Sequence, residues 1–273
     1  MFTLIAVALV WVVLLWIVLH GRFGPSHAQW ARAISFQPTE KASPEQLFGC
    51  LLSGNFALLM RDNFNQLASS LPAGRVARIL EQYWTIRSRM DYLVELDLRL
   101  ARIGEMSAPE KRAISAWLAG TALESKEYAA LEATCQFMVS RARIAGLDEL
   151  QETHLGVFAW DVQQVAYLVR LGLAADYVSR EFADLVMDGL ATRARSRYGS
   201  WKDYSLSALA GLGMRGSLEI FDSTEWMQFA RTHSVLLDRR RSPISGAAPW
   251  SHPEAREIRP SRAAPLQAKL AVV

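Results

Sequence analysis

Apolar residues along this chain follow two patterns. The first nineteen residues, Met1 to Leu19, form one run without a charged side chain, closed by His20-Gly21-Arg22. At about 1.5 Å per helical residue such a run reaches roughly 28 Å, close to the hydrocarbon thickness of a bilayer. The run predicts a single transmembrane anchor over residues 1–20, followed by a linker at 21–42. Beyond the linker, apolar positions recur three and four apart, the period of a helix that buries one face.

Helix starts are marked by capping chemistry. Ser43-Pro44-Glu45-Gln46 sets a cap hydroxyl, a proline at the first helical position and a glutamine at the third. Leu47, Leu51, Leu52, Leu58 and Leu59 then follow at helical spacing. Ser88 with Asp91 opens a second helix carrying Leu93, Leu96, Leu100 and Ile103, stopped by Gly104. Ser107 with Glu110 opens a third, with Ile114, Trp117 and Leu118 inward, and Lys126 to Ala145 is a fourth that stops at Gly146. Further helices are expected from Gly156 to Ala174, Ser179 to about Arg197, Ser200 to about Leu212 and Asp222 to Leu237. No run alternates apolar and polar residues between hairpin turns, so the expected class is all-α, a compact multi-helix domain over 43–238. From Arg239 the pattern stops. Pro243, Pro249, Pro253, Pro260 and Pro265 break the remainder, and residues 239–273 are expected to be a disordered basic tail.

Charge narrows the choice of partner. The chain of 273 residues carries a net +3, yet the tail alone has seven basic residues against Glu254 and Glu257, a net +5. The rest is therefore about −2, which does not fit the basic face of a nucleic-acid binder. Arg22 and Arg32 lie only after the apolar run, the arrangement of a single-pass protein of the bacterial inner membrane whose body is cytoplasmic. The alternative is a signal peptide cleaved near Ala28, after Ser26-His27-Ala28, which would place the body in the periplasm. A signal peptide, however, usually has basic residues ahead of a shorter apolar run. Cys50 and Cys135 are two lone thiols, read as reduced and buried.

Catalytic and cofactor motifs are weak. Gly211-Leu212-Gly213-Met214-Arg215-Gly216 has the spacing of a dinucleotide fingerprint but follows a helical pattern where a strand is required, so it reads as a close turn. The five histidines have no metal spacing, no cysteine has a CxxC mate, and no G-x-S-x-G elbow occurs. No cofactor or metal is implied. The segment that stands out runs from Ala159-Trp160-Asp161 through Arg170-Leu171-Gly172 and Asp176-Tyr177 to Ser179-Arg180-Glu181, with Ser200-Trp201 beyond it. Asp161 falls in the first turns of a helix, where an anion is favoured. Ser200 is expected to cap its helix, and Trp160 and Trp201 to pack together and hold two helices. Gly172 and Tyr177 fit a tight helical corner. Two readings follow for the set: a tryptophan-anchored hairpin, or a pocket with Asp161 as its polar centre.

These residues, with Trp84-x-Ile86-x-Ser88 upstream, resemble a bacterial family catalogued as domain of unknown function 1266. The resemblance covers about Leu80 to Gly213; an arginine or aromatic is expected after Gly211, where Leu212-Gly213 stands. It implies a helical domain and carries no activity to named residues. The functional expectation is a membrane-tethered domain, held to the bilayer by residues 1–20, that binds another protein as scaffold, accessory or immunity factor. An unrecognised enzyme or ligand pocket centred on Asp161 is the alternative. The anchor is testable: the full chain should pellet with membranes and resist alkaline extraction, whereas a mature soluble chain beginning at Gln29 would establish the periplasmic alternative.

Overall fold

A computed structural model describes residues 42–147, 149–215, 223–237, 248 and 250. Among them the regular elements that the chain forms are all helices, joined by turns and loops. The helices are α1 (Pro44–Leu51), α2 (Gly54–Leu59), α3 (Ala73–Trp84), α4 (Arg89–Ala101), α5 (Ala108–Ala119), α6 (Lys126–Ala145), α7 (Phe158–Ala174), α8 (Arg180–Arg197), α9 (Trp201–Arg215) and α10 (Ser223–Leu236), with a 3-10 turn at Glu152–His154. No helix among the described residues is long and apolar enough to cross a membrane. The anchor expected over 1–20 and the linker at 21–42, except for its last residue, lie outside the described residues.

Serine caps set most of the starts. Ser43, Ser88, Ser107, Ser125, Ser179 and Ser200 each accept a hydrogen bond from the backbone N–H three residues on, satisfying a donor that the first turn leaves open. At Ser43 and Ser107 the Gln46 and Glu110 side chains return the bond to the cap N–H. Two departures from the sequence reading occur early in the chain. The helix expected to run on from Ser43 is split at Ser53, whose hydroxyl donates back to the Cys50 carbonyl and ends α1. Helix α3 was not foreseen: it follows Pro72 without a side-chain cap, though Val76, Ile79 and Leu80 form a clear buried stripe.

Helix α7 is the centre of the packing. It is buried from Phe158 to Trp160 and from Val165 to Gly172 without a break, and α2, α3, α4, α8 and α9 lie against it. A helix apolar on every side belongs in the middle of a core. Its two buried polar side chains, Gln163 and Arg170, are both fully enclosed. Arg170 donates from Nε to the Gln66 carbonyl, from Nη1 to Ser53 Oγ and from Nη2 to the Asn63 carbonyl, with the buried Asp62 carboxylate 4.0 Å away. Asp62 in turn accepts from the backbone N–H of Asn63 and from both the N–H and hydroxyl of Ser70. One arginine thus folds the whole α2–α3 connection over the core.

Gly172 and Tyr177 make the corner expected of them. A Cβ at Gly172 would collide with the Tyr92 ring of α4, so α4 and α7 approach there as only glycine allows. Tyr177 stacks on Tyr92 at 5.5 Å, its N–H donates to the Gly172 carbonyl, and its own carbonyl accepts from Arg89 Nε. Two glycines of the apparent nucleotide fingerprint have the same role, and they make no turn, because the helix continues through them to Arg215; Gly216 lies outside the described residues. Gly211 and Gly213 sit inside α9, with an added Cβ 2.7 Å from Trp160 Cβ and 2.9 Å from Met138 Sδ respectively.

Two sequence expectations are corrected by packing. Trp160 and Trp201 do not stack on each other. Trp160 meets Phe56 and Phe229, while Trp201 sits in a separate cluster with Phe48, Tyr204 and Trp250. The second correction is at the C-terminal side. Trp250 lies within the stretch expected to be disordered from Arg239, yet it is buried; its Nε1 donates to the Tyr198 carbonyl, and Trp201 Nε1 donates to the Ala248 carbonyl. Proline content argued against packing, but one large aromatic side chain with a hydrogen-bonding edge is enough to fasten a segment. The rest of 239–273 lies outside the described residues.

A buried polar chain joins α2, α7, α9 and α10. Gln163 donates to Asn55 Oδ1, which also accepts from Ser205; Asn55 Nδ2 donates to Thr232; and His233 Nδ1 is 2.9 Å from Ser205 Oγ. Burial holds His233 neutral and brings its pKa down to about 4 from an ordinary 6.5. The unfolded chain then binds a proton between these values that the folded chain refuses, so stability is full near pH 7 and is lost as pH falls toward 4. The loss reaches about 3 kcal/mol at one decade per 1.36 kcal/mol. Urea melts of the wild type and His233→Gln from pH 7 to 4 should show a steeper acid loss in the wild type.

Candidate functional site

A cavity of about 480 Å³ opens between α2, α3, α4, α7 and α9. Its aromatic wall comes from three elements. Phe56 stands 6.0 Å from Trp84 and 5.6 Å from Trp160, and Tyr83 lies 5.9 Å from Trp84. Trp84 ends α3, where Thr85 takes a left-handed conformation (φ 57°) and turns the chain toward α4. Trp160 is fixed in the first turn of α7 because Gly211 lets α9 close on its Cβ.

The polar side of the cleft comes from α4, α7 and α9. Glu95 and Arg99 are spaced i, i+4 on one face of α4, and Arg102, which follows its last residue, lines the same cleft. Arg99 Nε pairs with Glu95 at 2.6 Å, its Nη1 donates to Gln164 of α7 at 2.7 Å, and its guanidinium lies 5.9 Å from the Trp84 ring. Asp161 accepts from the Gly104 N–H at 2.9 Å and from Arg215 Nη2 at 3.1 Å, while the same Arg215 nitrogen also donates to the Glu105 carbonyl. Arg102 lines the cleft, and its guanidinium has no hydrogen-bond or ion-pair partner among the described residues. Three arginines against two carboxylates leave the lining at a net +1.

Of the residues singled out by sequence, three belong to this cleft: Trp84, Trp160 and Asp161. Arg170, Gly172 and Tyr177 lie on the far part of α7 and in the corner beyond it, where they fold the chain. Ser200 caps α9 as expected and donates its hydroxyl to Asp203, whose pKa is held down first by the His154 imidazole 3.6 Å away and then by the hydrogen bond from Ser200. Trp201 is in the separate aromatic cluster. The Asp161 carboxylate that faces the cleft also ties the α4–α5 turn and the end of α9 to α7.

The sequence reading missed Phe56, Tyr83, Glu95, Arg99, Arg102, Gln164 and Arg215. The charged face of α4 was legible as Glu95-x-x-x-Arg99-x-x-Arg102, but nothing local shows that it turns toward Trp84 and Trp160. Among the described residues no group of three or more histidine, cysteine or acidic side chains could hold a metal ion. Cys50 and Cys135 are both free and buried, and burial pushes the Cys50 thiol up to about 11, far from a reactive thiolate.

A family model described as a protein of unknown function (DUF1266) matches residues 79–250. No curated protein and no solved structure matches the chain. The match takes in Trp84, the charged face of α4, Trp160, Asp161 and Arg215, and it ends at Trp250.

Removing the Asp161 carboxylate leaves both the Gly104 N–H and Arg215 short of an acceptor, at about 2 kcal/mol for a partly buried charge-assisted bond. Asp161→Asn keeps an amide oxygen for the Gly104 N–H and should cost about half of that. Chemical denaturation of Asp161→Ala and Asp161→Asn should give that order, and equal losses would show that the ion pair alone matters.

Proposed function

The chain belongs to the DUF1266 family, and we propose that its helical domain is a binding module whose cleft between α3, α4, α7 and α9 receives a ligand, and that residues 1–20 tether it to a membrane with the domain on the cytoplasmic side. The cleft carries the first part of the reading. Its volume falls within the roughly 300–1,000 Å³ of small-molecule sites, and its lining is the usual mixture of aromatic walls and a few converging polar groups. Four of its five charged groups are engaged with one another or with backbone and amide groups, which suits positioning better than proton transfer. The tether is supported by the uncharged run from Met1 to Leu19 with Arg22 and Arg32 only after it.

A second reading, a protein partner, is favoured by the outer face of α4. Met90, Val94 and Leu98 are exposed at i, i+4 and i+8 (69, 54 and 45 % accessible), and Leu98 also lines the cleft beside the half-exposed Tyr83. An apolar strip continuous with a binding cleft is a recognised mark of protein contact. A photo-crosslinking residue placed at Tyr83 in the native host, with Leu118 on α5 as control, tests the site. A discrete adduct at Tyr83 that Leu98→Glu abolishes is expected, and its mass separates a small molecule from a polypeptide. Equal labelling at Tyr83 and Leu118 would remove the cleft from consideration.

A further inference from the structure

Within the cleft the ionic groups are unequally committed. Glu95 neutralises Arg99, which is further held by Gln164 and the Trp84 face, and Asp161 neutralises Arg215, which also caps the Glu105 carbonyl. Arg102 remains. It follows the last residue of α4, its side chain is exposed at the cleft, and no carboxylate among the described residues meets it. A guanidinium offers five donors in a planar fork matched to carboxylate, sulfonate and phosphate oxygens. The same cleft is lined by the rings of Trp84, Trp160, Phe56 and Tyr83, which favour a flat or apolar body through dispersion and offset stacking.

We infer that the cleft is selective for an amphipathic anion, a flat or short apolar body carrying one carboxylate, sulfonate or phosphate group, with Arg102 as the residue that meets the anionic end. The inference rests on the cleft being a binding site and adds the chemical class of its occupant. The two internal ion pairs have a part in this selectivity. They keep Glu95 and Asp161 from repelling the anion, and they hold Arg99 and Arg215 so that the occupant gains one new charge contact. A cation entering the same space would meet a lining that is already net positive.

The test uses the full chain in phosphatidylcholine nanodiscs and three probes of one shape: naphthalene-1-sulfonate, 1-naphthalenemethanol and 1-naphthylmethylammonium, titrated by calorimetry. The sulfonate should bind saturably and about tenfold more tightly than the alcohol, with the ammonium weakest. Arg102→Gln should remove the tenfold advantage and leave the alcohol unchanged, Arg102→Lys should restore part of it, and Trp84→Ala should weaken all three. Added phosphatidylglycerol vesicles that displace the sulfonate would show the anion to be a lipid headgroup, and their failure to do so would leave it a free small molecule; the anionic class holds in both cases. Equal binding of sulfonate and alcohol, or an ammonium that binds as well as the sulfonate, overturns the anionic class while the cleft stands. No saturable binding of any probe overturns the cleft reading itself.

Discussion

Helix α7 is enclosed on every side, and a polar group placed on such a helix must find its partners inside the protein. An unpaired buried charge costs several kcal/mol, so a guanidinium at Arg170 can exist only where the surroundings are built around it. Here the surroundings are the α2–α3 connection, whose carbonyls at Asn63 and Gln66 turn inward to the arginine. Gln163 imposes the same demand on Asn55 and on the Phe56 N–H. Satisfying two polar residues of one helix therefore fixes where α2 lies, and with it the Phe56 ring that forms the back of the cleft.

The cleft is a by-product of that arrangement at its other end. Near the start of α7, Gly211 draws α9 close, Asp161 ties the turn at Gly104 and the last residue of α9, and Arg99 of α4 bonds to Gln164 across the cleft. The space left between α3 and α4 is lined by whichever side chains these constraints turn toward it. Each carboxylate there is held by an arginine, Glu95 by Arg99 and Asp161 by Arg215, and Asp161 accepts a second bond from the Gly104 N–H.

Much of the architecture was legible along the chain because capping is local. Ser43, Ser88, Ser107, Ser179 and Ser200 each fix a helix start within four residues, and the absence of period-two alternation fixed the all-helical class. What was not legible depends on distance in sequence. The separation of Trp160 from Trp201 is set by Phe229 and Trp250, which come later in the chain and from different elements. The role of Arg102 depends on the turn at Thr85 bringing α3 beside α4. Helix α3 escaped for the opposite reason, since it has a clear buried stripe but starts from proline with no capping side chain. The arginines at the end of α8 partly cover aromatic rings, a contact that no local pattern shows: Arg195 lies 3.8 Å from the Phe48 ring centroid, and Arg197 4.9 Å from that of Phe158.

Trp250 has a consequence for how the protein comes into being. Its ring lies 5.1 Å from Phe48, about 200 positions earlier in the chain, and 4.8 Å from Trp201. A ribosome adds roughly 5 to 20 residues per second, so Phe48 waits about 10 to 40 s for this neighbour to be synthesised. During that interval α1 has emerged with one side of its apolar surface uncovered. Whatever shields the nascent chain, a chaperone or a membrane surface, has to do so at the beginning of the domain and release it only when the final tryptophan arrives.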